Sequence, residues 1–118
     1  MQFKELTIIK APNSTLAQLP LTGNWLEAIG FTVGVAVNVM FTDSCLTLTT
    51  NKTLKPHYGV LMVESKLVRK RLRTQLLLHG FLLKRYGFHI GDRVGLHIAP
   101  NTIQITKINK FTTAQNVV

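Results

Sequence analysis

The chain has 118 residues, enough for one domain with a real core, and its 46% hydrophobic against 16% charged residues excludes a disordered tail. Fourteen Lys and Arg against five Asp and Glu give a formal charge of +9, which points to a polyanionic partner: DNA, RNA or an acidic protein. No stretch reaches the roughly 20 apolar residues of a membrane span, and Lys4 and Glu5 precede only a short apolar run, so no export signal is read. The expectation is a cytoplasmic protein with no membrane partner. Cys45 is the single cysteine, which excludes an intrachain disulfide and a cysteine-based zinc cluster.

The predicted elements repeat. Leu19 and Leu21 alternate with other residues as a short strand does, and a helix of one or two turns follows, with Trp25, Leu26 and Ile29 on one face. Thr22 reads as its N-cap and Gly30 as the left-handed residue that stops it. Period-2 alternation then runs Val33, Val35, Val37, Val39, Phe41, and a turn at Thr42-Asp43-Ser44 leads to a return strand with Leu46 and Leu48. Shifting by 57 residues gives the same series again: Leu76, Leu78, Gly80, Leu83, Gly87-Phe88, Gly91, Val94, Leu96, a turn at Pro100-Asn101, then Ile103 and Ile105. The division is repeat one over 1–52, a linker over 53–57, repeat two over 58–110 and a tail over 111–118, all in one domain. Four short strands bury an apolar face poorly alone, and two interleaved units bury it together.

Leu21-Thr22-Gly23-Asn24-Trp25-Leu26-Glu27-Ala28-Ile29-Gly30-Phe31-Thr32-Val33-Gly34 resembles the Gly-x-Trp-Leu-x-x-x-Gly-Phe-x-x-Gly segment of the SymE-type toxins. Gly87-Phe88-His89-Ile90-Gly91-Asp92-Arg93-Val94 is similar to the wider AbrB-like superfamily, where Gly-Asp opens the third strand. The resemblance implies a mainly β fold with two short helices, an AbrB-like swapped-hairpin β-barrel formed here by two intrachain repeats as a pseudo-dimer. It also implies a DNA-binding regulator or a toxin of a toxin–antitoxin module, the latter linked to RNA cleavage. The chain departs from the pattern at Val35, where repeat two has Asp92, and at Thr22 and His79, where a basic residue is frequent.

The charge sits in repeat two. Residues 1–56 hold Lys4, Lys10, Lys52 and Lys55 against Glu5, Glu27 and Asp43, a net of +1, and residues 57–118 carry the remaining +8. The densest run, Lys66, Arg69, Lys70, Arg71 and Arg73, is read as a basic loop between the first two strands of repeat two, the region that approaches DNA in AbrB-like proteins. Arg suits such a site because its planar fork grips phosphate or a guanine edge at two points. Lys84 and Arg85 either extend this surface or sit as favourable cations at a helix C-terminus. Trp25, Phe31 and Phe88 have core spacing rather than that of base-stacking residues.

No catalytic residue is assigned. A ribonuclease needs an acid, a base and a cation, and the candidates His57, His79, His89, His97, Glu64, Tyr58 and Tyr86 form no known short motif. Five scattered carboxylates do not make a magnesium cluster, so no metal and no cofactor is expected. The functional expectation is nucleic-acid binding, DNA ahead of RNA, by a monomeric pseudo-dimer or a homodimer. The alternatives are an RNA-degrading toxin and a protein-interaction module, such as an antitoxin, with an acidic protein partner.

Overall fold

The computed structural model describes residues 2–51 and 60–108; the linker at 53–57, Lys52, Lys55, His57, Tyr58, Lys110 and the tail lie outside them. The chain is mainly β with two short helices. Its strands are β1 (Gln2–Thr7), β2 (Ile9–Lys10), β3 (Ala17–Thr22), β4 (Ala36–Thr42), β5 (Cys45–Thr49), β6 (Val60–Met62), β7 (Glu64–Val68), β8 (Arg71–His79), β9 (Arg93–Ala99) and β10 (Thr102–Lys107). Helix α1 (Asn24–Ala28) follows β3 and α2 (Phe81–Arg85) follows β8.

The 57-residue shift carries over to the elements. It takes α1 onto α2 and β4 onto β9, residue for residue. It also maps the buried set Leu19, Leu21, Leu26, Phe31, Val37, Val39, Leu46 and Leu48 onto Leu76, Leu78, Leu83, Phe88, Val94, Leu96, Ile103 and Ile105. These side chains form one core cluster, not two.

Two antiparallel ladders join the halves. β3 pairs β8 with Leu19 opposite Leu78 and Leu21 opposite Leu76. β5 pairs β10 with Leu46 opposite Ile105 and Leu48 opposite Ile103. Exchanging the halves by the same shift returns each of these ladders to itself, the self-complementary pairing of a two-fold interface. The outer strands also cross over: β1 of the first half pairs with β9 of the second, and β6 of the second pairs with β4 of the first.

The expected closed barrel does not form. A six-stranded sheet, in the order β1-β9-β10-β5-β4-β6, faces a four-stranded one, β2-β3-β8-β7, and both are open. The first strand of each half bends and passes from the six-stranded sheet to the four-stranded one, forming a corner of a two-sheet packing. Ile8, between β1 and β2, donates its N–H to Asp92 O and accepts from Gly91 N–H. Val63, between β6 and β7, donates to Val35 O and accepts from Gly34 N–H. Both apolar side chains turn into the core at the bend.

Each helix ends in the same hydrogen-bonded stop. Gly30 N–H donates to Glu27 O and Phe31 N–H to Leu26 O; Gly87 and Phe88 repeat this on Lys84 O and Leu83 O. That is the Schellman arrangement, with the glycines at φ 100° and 82°. The start of α1 differs from expectation. Thr22 is still in β3, opposite Gln75, so its hydroxyl is not placed to cap. Gly23 stands at the N-cap with no side-chain cap, and the Thr22 carbonyl instead accepts from Trp25 Nε1 at 3.1 Å. The alternation predicted from Val33 also begins later. Val33 lies in a turn and is exposed, because Gly34 at φ 91° precedes the strand, which starts at Ala36.

Candidate nucleic-acid interface

The basic run is not a loop but a two-stranded ribbon. β7 and β8 pair Lys66 with Arg73, Leu67 with Leu72 and Val68 with Arg71. A two-residue turn at Arg69-Lys70 closes it, with φ of 49° and 66°. Positive φ at both central residues is the mark of a type I′ hairpin turn, usually Asn-Gly. Filling it with Arg and Lys costs on the order of 1–2 kcal/mol per residue.

Alternation sorts the ribbon into two faces. Lys66, Val68, Arg71 and Arg73 share one. Ser65, Leu67, Leu72 and Thr74 share the other. Thr74 and the next residue of that face, Leu76, are buried, but Leu67 and Leu72 are 67% and 72% exposed. The core-facing side of β8 therefore continues outward as an apolar surface that nothing in the described chain covers. Lys66 and Arg73 stand directly opposite each other, a like-charge pair that weakens a hairpin unless an anion lies over it.

The hairpin of the first half is built differently. β2 and β3 pair only Ile9 with Gln18 and Lys10 with Ala17, and Ala11 N–H then donates to Leu16 O before the chain turns through Pro12-Asn13-Ser14-Thr15. The stretch from Ile8 to Leu19 is two residues shorter than its counterpart from Val63 to Leu76, and its turn carries no cation. Lys10 Nζ is spent on Ser14 O at 2.9 Å and Ala11 O at 3.4 Å.

Other cations of the described chain are similarly engaged. Arg93 pairs with Glu5, and Lys107 with Asp92 at 3.2 Å. Lys4 lies over the Trp25 ring at 5.4 Å and Arg85 over Tyr86 at 5.7 Å. The side chains of Lys66, Arg69, Lys70, Arg71, Arg73 and Lys84 have no such partner among the described residues. Lys84 and Arg85 do not adjoin the ribbon. They follow the far end of β8, roughly 25–30 Å of extended strand from Arg71. They occupy the last turn of α2, where cations meet the helix dipole favourably. Lys84 there lines a shallow cleft with Thr15, Leu16 and Ala17 of the first hairpin.

The catalytic candidates are dispersed over several elements. His79 closes β8 and is exposed. His97 lies mid-β9, half-buried, edge-on to Phe3 at 5.0 Å. His89 Nδ1 faces Asp92 at 3.6 Å. Burial pushes the Asp92 carboxyl up, but the His89 backbone N–H that donates to it at 2.8 Å and the charge and hydrogen bond of Lys107 outweigh this, leaving its pKa below the ordinary value. Tyr86 stacks on Phe41 at 4.5 Å, and both line an open cleft with Asp43, Ser44 and Lys107. Glu64 begins β7 opposite Gln75. Trp25 is half-buried against the core, while Phe31 and Phe88 lie within it. No group of three or more His, Cys, Asp or Glu among the described residues could hold a metal ion, and no helix among them is long and apolar enough to cross a membrane.

No protein-family model, curated protein or solved structure matches the chain. What the sequence reading missed is the ribbon itself: Leu67 and Leu72, equidistant from Arg69-Lys70, carry the hairpin alternation, but the turn lacks the Asn-Gly signature.

Proposed function

We propose that this chain binds nucleic acid, duplex DNA ahead of RNA, through the β7–β8 ribbon. The carrying observation is that five cations, Lys66, Arg69, Lys70, Arg71 and Arg73, sit on one ribbon without a partner among the described residues, while the other described cations are mostly engaged. Repulsion between Lys66 and Arg73, and a turn that only a strained backbone supplies, are costs that a bound polyanion offsets. The major groove of B-form DNA admits a two-stranded ribbon, whereas that of A-form RNA is too narrow and deep for side chains to read. Lys84 and Arg85 form a second, smaller basic patch.

In family terms this is an AbrB-like regulator or a SymE-like toxin, with two repeats exchanging hairpins inside one chain. The self-complementary β3–β8 and β5–β10 ladders support that reading.

Fluorescence anisotropy with labelled duplex DNA, single-stranded DNA and RNA across a salt series tests it. Five phosphate contacts give a log–log salt slope of about −4.5 on duplex. Replacing Arg69, Arg71 and Arg73 with Ala should reduce the slope to about −2 while circular dichroism stays unchanged. Equal affinity and slope in the variant overturn the ribbon as the contact. No binding to any of the three at low salt transfers the function to an acidic protein partner.

A further inference from the structure

The two-fold relation between the halves is broken where it matters for recognition. β3 and β8 run antiparallel across the seam, so the two hairpin tips lie at opposite ends of the four-stranded sheet. About nine residues of strand, roughly 30 Å, separate them, close to the 34–36 Å between successive major grooves on one side of a duplex. A chain with equivalent ends would read two related half-sites and a palindromic target.

These ends are not equivalent. One presents the extended ribbon with Lys66, Arg69, Lys70, Arg71 and Arg73, beside α1, whose first turn carries Glu27. The other presents the short turn 12–15, whose nearest strand cation, Lys10, is bonded to its own loop, beside Lys84 of α2. The first can put several forked donors on base edges. The second offers only Lys84 and Arg85, the latter already over the Tyr86 ring, and suits phosphate contacts.

Resting on the DNA-binding reading above, we propose that the chain recognises a non-palindromic duplex site in one fixed orientation. The β7–β8 ribbon grips the backbone and reads bases in one major groove, and Lys84 and Arg85 hold further phosphates about one helical turn away. Phosphate contacts position a protein and base contacts specify its sequence, so sequence is read at the ribbon end while the α2 end only adds positioning.

Selection of bound duplexes from a random pool, with the full chain at near-physiological salt, tests this. Three proteins are compared: the parent, R69A/R71A/R73A, and K84Q/R85Q, each checked by circular dichroism and thermal melting. The parent should enrich a motif of about half a helical turn without dyad symmetry. The α2 variant should enrich the same motif with several-fold weaker affinity, and the ribbon variant should enrich none. A dyad-symmetric motif, or loss of the motif in K84Q/R85Q, overturns the division of labour while leaving DNA binding intact. Duplex binding without any motif overturns base reading by the ribbon. Failure to retain duplex at all overturns the DNA-binding reading and the inference with it.

Discussion

Glycines 30 and 87 do the same backbone job in different surroundings. Both stop a five-residue helix in the left-handed region, so a Cβ at either costs about 1–2 kcal/mol from conformation. A Cβ at position 87 meets open space, but at position 30 it collides with the Asn101 side chain. That collision adds an overpacking cost on the order of 1 kcal/mol or more. Urea denaturation should therefore find Gly30→Ala more destabilised than Gly87→Ala, and equal losses would mean that Asn101 moves away freely. Asp92 offers a second residue-scale test. Its folded pKa lies below the ordinary 3.8, so its carboxylate stabilises the fold above that pH, and the contribution fades as pH falls through the lower folded value. Asp92→Asn should be less stable than the parent at pH 6, and the difference should shrink below pH 4. A gap that stays constant with pH would dissociate Asp92 from the acid sensitivity.

At the scale of elements, the turns decide more than the strands. The glycine stops were legible because a left-handed residue after an apolar helical face leaves few alternatives to Gly. The core strands were legible because Val37 to Phe41 and Val94 to Ile98 alternate over a half-buried sheet. Thr22 was misread as a cap because nothing local reveals that β3 continues through it against Gln75, a partner 53 residues away. The basic run was misread as a loop for a related reason: Arg-Lys is a poor type I′ pair, and only the opposition of Leu67 to Leu72 holds its register in view. That opposition leads to a prediction. R69N/K70G installs the residues the turn prefers and should raise stability by about 1–2 kcal/mol, while removing two cations and cutting the duplex salt slope by about 1.8. A variant both more stable and equally tight would show that the turn's charge has no part in binding.

For the whole molecule, the passage of each half's first strand between sheets was beyond the sequence, because the bends at Ile8 and Val63 depend on hydrogen bonds to the opposite half. The placement of the basic residues was half legible: Lys66 to Arg73 do share one element, but their separation from Lys84 and Arg85 follows from the direction of β8. The shared core predicts one unfolding event. Trp25, the single tryptophan, reports on the first half, and far-UV circular dichroism reports on both. Their urea transitions should coincide, and an earlier Trp25 transition would mean that the halves unfold separately. Removing one seam side chain by Leu21→Ala should shift both transitions together, by about 2–5 kcal/mol.

The crossing of the outer strands also sets a timetable for synthesis. Gln2 to Thr7 leave a ribosome well before their ladder partners, Arg93 to Ile98. At about 5–20 residues per second, β1 waits roughly 5–20 seconds for β9 to be made. During that interval Phe3, Leu6 and Ile8 have no sheet to join. The six-stranded sheet is therefore completed only after β9 has been made, and until then β1 stays an unpaired apolar strand.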